Sequence, residues 1–147
     1  MLRRLKKLGA SNSDLIDVFT KQIRSIAEFA VPVWNSSLTG EDIADIERLQ
    51  KTALHIILGD DYKSYNSALN TLDLKKLSER RRRICLTFAK KAEKNSKFST
   101  WFKPNTRKNT RCKQSKYSNV FCKKIRFEKS PISYMTNLLN QYYDKRK

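Results

Sequence analysis

Through the first 95 residues, apolar side chains recur three and four positions apart. That is the period of amphipathic helices, not the alternation of strands. Residues 1–8 read as the end of a longer helix whose beginning is missing, broken at Gly9-Ala10-Ser11-Asn12. Ser13 is the expected N-cap of the next helix, with Asp14 and Asp17 in its first turn, where negative charge suits the helix dipole. Leu15, Phe19, Ile23, Ile26 and Ala30 fall on one face of it, and Asp14, Asp17, Lys21, Arg24 and Glu28 on a solvated face of mixed sign. Pro32 ends this helix, because the residue before a proline is pushed toward extended geometry. "VPVWNSSLTG" then reads as a linker with Trp34 turned inward.

Thr39, with Asp42 three residues on, predicts a capped helix start. The helix that follows places Ile43, Ile46, Leu49, Gln50, Ala53, Leu54 and Ile57 on one face, and Gly59 stops it. Residues 64–72 read as a short helix, and Asp73 as the cap of another over 74–94. On that last helix Leu74, Leu77, Ile84, Cys85, Phe88 and Ala92 define a stripe. Within the run "RRRR", Arg81 falls inside the stripe, Arg80 on its edge, and Arg82 and Arg83 point away. An uncompensated buried cation is costly. Arg81 is therefore expected to be structural, paired with carbonyls or with an acid such as Asp42, Asp45 or Glu47.

After residue 95 the chain turns polar and basic, dotted with aromatics. Trp101 and Phe102 are expected to anchor it, a short strand over 117–127 is expected, and Ser130-Pro131 opens a terminal helix near 131–142. The pattern as a whole predicts a mainly α fold. Residues 1–95 form a small helical bundle, and residues 96–147 a basic, largely irregular extension ending in the short helix.

Charge sharpens this picture. The 147 residues carry a formal net charge of +18, which implies a polyanionic partner. Residues 1–59 hold 8 basic and 7 acidic side chains, whereas residues 96–147 hold 14 and 2. Cys85, Cys112 and Cys122 and the single His55 are too scattered for a disulfide framework or a zinc site. No apolar run spans a membrane, and the basic start lacks the apolar segment of a signal peptide. The expected location is intracellular, nuclear or cytoplasmic, with no secretion and no membrane partner.

Candidate chemistry is sparse. "LGDDYK" looks like the paired aspartates of a polymerase turn, which hold two metal ions, but it follows a long helix and has no strand pattern beside it. Stopping that helix is its better reading. Three glycines at positions 9, 40 and 59 cannot build a phosphate loop. No enzyme, metal or cofactor is expected. Arg48, Lys51 and His55 share one helix face, which is either a phosphate-tracking stripe or an ordinary solvated face.

The order of the blocks is itself informative. Residues 2–8, 23–38 ("IRSIAEFAVPVWNSSL") and 46–59 ("IERLQKTALHIILG"), then Tyr62, Tyr65, Ala68-Leu69, Leu77, Arg80-Arg81 and Phe88-Ala89-Lys90, and finally "RFEKSPISYMTNLLN", resemble the region beyond the catalytic palm of non-LTR (LINE-type, jockey-like) retrotransposon reverse transcriptases. Phe29 departs from the tyrosine common there. The resemblance implies a helical thumb and C-terminal segment that grips template–primer beside a palm whose metal-binding aspartates lie upstream of this chain. The chain is then expected to be a non-catalytic fragment starting at Met1. Arg48, Lys51, His55, Lys75, Lys76, Arg82, Arg83 and Lys90 would contact the backbone of an RNA–DNA or RNA duplex, and Pro32, Trp34 and Arg81 would serve the fold. Trp101, Phe102, Tyr117, Phe121 and Phe127 either stack on bases or pack inward. The alternatives are a module that binds another protein, the palm or itself through exposed apolar surface, or a decayed reading frame without function.

Overall fold

The computed structural model describes residues 1–106, 115–118 and 125–145. The chain is mainly helical, and among the described residues no helix is long and apolar enough to cross a membrane. It divides into two compact units, residues 1–30 with 38–81, and residues 31–37 with 82–147. The division falls inside a helix, and the change of composition at residue 95 lies within the second unit.

In the first unit α1 (Leu2–Lys7) is followed by Gly9 at φ 82°, a left-handed conformation that glycine adopts without strain. Next, α2 (Asn12–Val18) is capped by Ser11 rather than Ser13. The reciprocal cap needs an acid three residues on: Ser11 has Asp14 there, whereas Ser13 has Ile16. A π-helical turn, Phe19–Ile23, leads into α3 (Arg24–Ala27). Such a turn adds a residue to the helical repeat and rotates every later side chain. The expected face therefore holds only through Ile23: Ile26 is 78% exposed, and Ala30 is exposed at φ 51°. Glu28, expected in solvent, instead turns inward and accepts from Arg80 Nε at 2.6 Å and Nη2 at 3.0 Å.

The chain next makes α4 (Val31–Trp34), which belongs to the second unit, and returns as α5 (Gly40–Leu58). Thr39 and Asp42 cap α5 as their spacing predicts. Gly59 ends it at φ 59°, and Lys6 Nζ donates to the carbonyls of Ile56 at 2.7 Å and Ile57 at 3.0 Å. A cation there satisfies orphan acceptors and opposes the helix dipole. Ile43 and Leu49, expected inward, are each 40% exposed. Both apolar clusters of this unit meet α5 only from Ala53 onward: one gathers Leu2, Leu15, Phe19, Ala53 and Ile57, the other Leu54, Ala68 and Leu69. Full burial of side chains such as Leu15, Phe19, Leu54 and Ile57 contributes ~1.5–3 kcal/mol each.

A short helix, α6 (Tyr65–Thr71), forms within the expected 64–72, with Ser64 as its cap. Asp73, by contrast, does not cap α7 (Leu77–Lys94); it sits in a turn at φ 48°. The carboxylate of Glu47 accepts from the backbone N–H of Leu77 and of Ser78, both at 3.3 Å, and also from the Tyr65 hydroxyl. Beside it the Gln50 side chain donates to the Lys75 carbonyl at 3.0 Å. Glu47 was one of the acids expected near Arg81; its contacts here go instead to these N–H groups and to Tyr65.

Along α7, Leu77, Arg81, Cys85, Ala89 and Ala92 form the buried seam. Arg81 is 2% exposed, whereas Arg82 and Arg83 are exposed, so the arginine run divides where the helical wheel places the division. Phe88, expected in the seam, is 39% exposed; the small Ala89 and Ala92 take the packed positions.

The second unit packs α7 against α9 (Pro131–Asp144), which Ser130 caps with Pro131 in the first turn. Val31, Cys85 and Leu138 form one cluster with Trp34 against it. Pro32 stands in the first turn of α4, where its missing N–H costs nothing. Residues 31–37 are thus helical turns and not the expected linker. A second cluster joins Ala89, Ala92, Phe102, Tyr117, Met135 and Leu139, with Trp101 packed on it. Trp101 and Phe102 thus anchor the segment after residue 95, and Phe102 and Tyr117 are core side chains rather than stacking surfaces. Phe127 is 52% exposed, and Phe121, Cys112 and Cys122 lie outside the described residues. Part of the strand expected over 117–127 also lies outside them. Of the rest, Tyr117 forms a lone antiparallel bridge with Pro104, and Ile125–Glu128 is a helix, α8.

Two substitutions test this account. Glu47→Ala removes a helix cap and a partner of Tyr65, and is expected to cost ~1–3 kcal/mol in urea unfolding, while exposed Glu41→Ala stays within ~0.5. Arg81→Ala is expected to cost on the order of 3 kcal/mol, against little change for Arg83→Ala, and equal melting temperatures would refute the division of the run.

Candidate nucleic-acid interface

The cations singled out in the sequence fall on α5, on α7 and in the turn just before α7. In the first unit Arg48, Lys51 and His55 are all exposed along one side of α5. Each already has a neighbour: Arg48 bridges Asp45 at 2.9 Å, Lys51 Nζ lies 5.3 Å from the Tyr65 ring centre, and the His55 ring is 5.0 Å from that of Tyr62. Lys75 and Lys76 are exposed before α7, with Lys75 Nζ 3.7 Å from Glu79. The acids Asp45, Asp60 and Asp61 are exposed on this unit as well, so the α5 stripe holds little surplus charge.

The second unit differs. At ~100° per residue, Arg83, Lys90 and Lys94 lie within about 40° of one another, on the side of α7 opposite its buried seam. Exposed Thr87 stands between them. From Arg83 to Lys94 the helix rises ~16 Å. Lys90 Nζ is held 3.3 Å above the centre of the Tyr142 ring, an arrangement that orders the amine and keeps its charge. Arg82 points elsewhere: its Nη2 donates to the Gln141 side chain at 2.8 Å, tying α7 to α9. The structure thus groups Arg83 with Lys90 and sets Arg82 apart. Lys94 was not singled out in the sequence, although its spacing of four from Lys90 was there to read.

Glu93, the acid on this stretch of α7, faces away from the cation line. It accepts from Lys116 Nζ at 2.6 Å, from the Tyr143 hydroxyl at 2.8 Å and from the Tyr117 hydroxyl. Burial alone would raise its carboxyl, but these donors outweigh burial and hold it below the usual carboxylate range. Burial, reinforced by the bond to Glu93, pushes the Tyr117 phenol up to about 12. The Tyr117 backbone is clamped in turn by Asn140, which accepts at 2.9 Å and donates at 3.0 Å. Among the described residues no three of His, Cys, Asp and Glu gather as metal ligands would.

Set against protein-family models, curated proteins and solved structures, the chain matches none of them.

Because folding depresses the Glu93 carboxyl, its stabilisation is complete above the unfolded value, ~4.3, and is lost as pH falls through the depressed folded value. Glu93→Gln is expected to flatten that acid limb in unfolding curves taken from neutral to acid pH; an unchanged limb would show that the cluster adds no pH-dependent stability.

Proposed function

We propose that this chain is a non-catalytic, nucleic-acid-gripping element, the thumb and C-terminal segment of a LINE-type reverse transcriptase, acting inside the cell on the backbone of template–primer duplex. The observation that carries the reading is the line Arg83–Lys90–Lys94, set opposite a buried seam in a chain whose last 52 residues hold 14 basic and 2 acidic side chains. Cations spaced along one helix face meet successive phosphates of one strand. They read no bases, since phosphate contacts position a protein without specifying sequence. Each phosphate neutralised releases condensed counterions, so affinity falls steeply with salt. Balanced by neighbouring acids, the α5 stripe contributes less.

Titration of a labelled RNA–DNA duplex at several salt concentrations tests the reading. Arg83→Ala and Lys90→Ala are each expected to lower the slope of log affinity against log salt by ~1, and Arg48→Ala by less. Affinity that hardly changes between low and moderate salt would end the proposal, as would primer extension by the purified chain for its non-catalytic part.

A further inference from the structure

The first unit carries a groove whose floor the nucleic-acid reading does not use. A groove of about 510 Å³ runs along α5 from Asp45 to Ile56, walled by α1 and by Ile23 of the π turn. Its floor is Leu49, Thr52, Ala53 and Ile56, spaced three and four apart on one face of α5. That stretch rises ~16 Å, the length of about 11 helical residues. Leu49, on the groove floor, is 40% exposed, so apolar surface is open to water here. Thr52 and Ala53 are small enough for another backbone to approach at the ~8–10 Å of packed helices.

We infer that this groove docks an acidic amphipathic helix of a partner protein, with apolar residues on the floor and carboxylates reaching Arg3 and Arg48 at the rim. Charge selects the occupant. Arg3 and Arg48 both line the groove and both are exposed, and Arg4 and Lys7 are exposed nearby on α1. Asp45 also lines the groove and bridges Arg48, so the surplus positive charge here comes from Arg3, Arg4 and Lys7; it attracts an acidic partner and opposes the same face of a second copy. The floor offers phosphates only the Thr52 hydroxyl as a side-chain donor, so a nucleic acid gains little there. The helix-in-groove mode fits a receiving face whose anchors repeat at i, i+3, i+4 and i+7.

The probe is a fluorescein-labelled, end-blocked peptide of about 14 residues, with leucine at helical spacing on one face and glutamate on the other. Its controls are a scrambled peptide of the same composition and a version with lysine for glutamate. Anisotropy should show saturable binding of the first peptide, with both controls weaker by about tenfold or more. Methyl resonances of Ile23, Leu49 and Ile56 should shift on titration. Leu49→Glu should weaken the peptide by about tenfold while duplex affinity stays unchanged, separating this site from the nucleic-acid reading. Arg3→Glu, an exposed substitution, gives the same test should Leu49→Glu disturb folding. Equal binding of the scrambled peptide, or shifts confined to other methyls, would overturn the inference. So would a dimer in light scattering that Leu49→Glu dissolves, which would assign the groove to a second copy.

Discussion

The first unit depends on one carboxylate. Glu47 lies just before the middle of α5, and its two oxygens receive the Leu77 and Ser78 N–H groups and the Tyr65 hydroxyl. A helix leaves its first N–H groups without intrahelical partners, and a negative charge there also meets the positive end of the dipole. One side chain thereby fixes where α7 starts and holds α6 against α5. Burial and this hydrogen bond together raise the Tyr65 phenol far above its ordinary value, so the hydroxyl stays a donor across the working pH range. The start of α7 sets its register, and the register decides which members of the arginine run are buried. Slipping the start by one residue would turn every later side chain by ~100° and carry Arg81 out of the seam.

The same arithmetic accounts for the arginines. Arg80, beside the seam, meets Glu28 in a two-pronged ion pair whose side chains are 22% and 12% exposed. Donating to the Glu28 carboxylate raises the Arg80 guanidinium, while burial and the charge of Arg80 lower that of Arg24 nearby. Arg82 reaches Gln141, and Arg83 stands in the exposed line. Four identical residues in a row thus hold four different positions, set by a rotation of ~100° between neighbours. A reading of the run as one basic patch loses this.

What the sequence revealed was local. Caps at Thr39 and Ser130, the stop at Gly59 and the burial of Arg81 depend on residues within a turn or two, and their spacing shows them. The cap on α7 was hidden because its donor groups and its carboxylate are 30 residues apart, while a plausible local substitute, Asp73, stood in the expected place. Glu28 was hidden for two reasons. Its partner lies 52 residues away, and the π turn shifts the helical phase just before it. Nothing in a periodic reading reveals an inserted residue, since each side of it still has helical spacing. The candidate site was legible as charge and only partly as geometry, because the wheel for α7 turns both Arg82 and Arg83 away from the seam yet says nothing of Gln141 or Tyr142.

That distinction explains why the two cation stripes are not equivalent despite similar residues and spacing. A salt-bridged arginine such as Arg48 has a field partly cancelled at close range, and a phosphate must compete with Asp45 for it. On α7 the acid in the corresponding stretch, Glu93, is turned into the core and satisfied by Lys116 and two phenols, so its charge is neutralised away from the cation line. The aromatic ring under Lys90 orders the amine without neutralising it, because a quadrupole attracts a cation but carries no net charge. Ordering by a ring leaves the cation's attraction for a phosphate in place at long range, whereas ordering by a carboxylate cancels it. The placement of the acids, more than the number of bases, therefore leaves the positive charge along α7 less cancelled than that along α5. It leaves the balanced flank of α5 suited to an occupant drawn by apolar contact as well as charge.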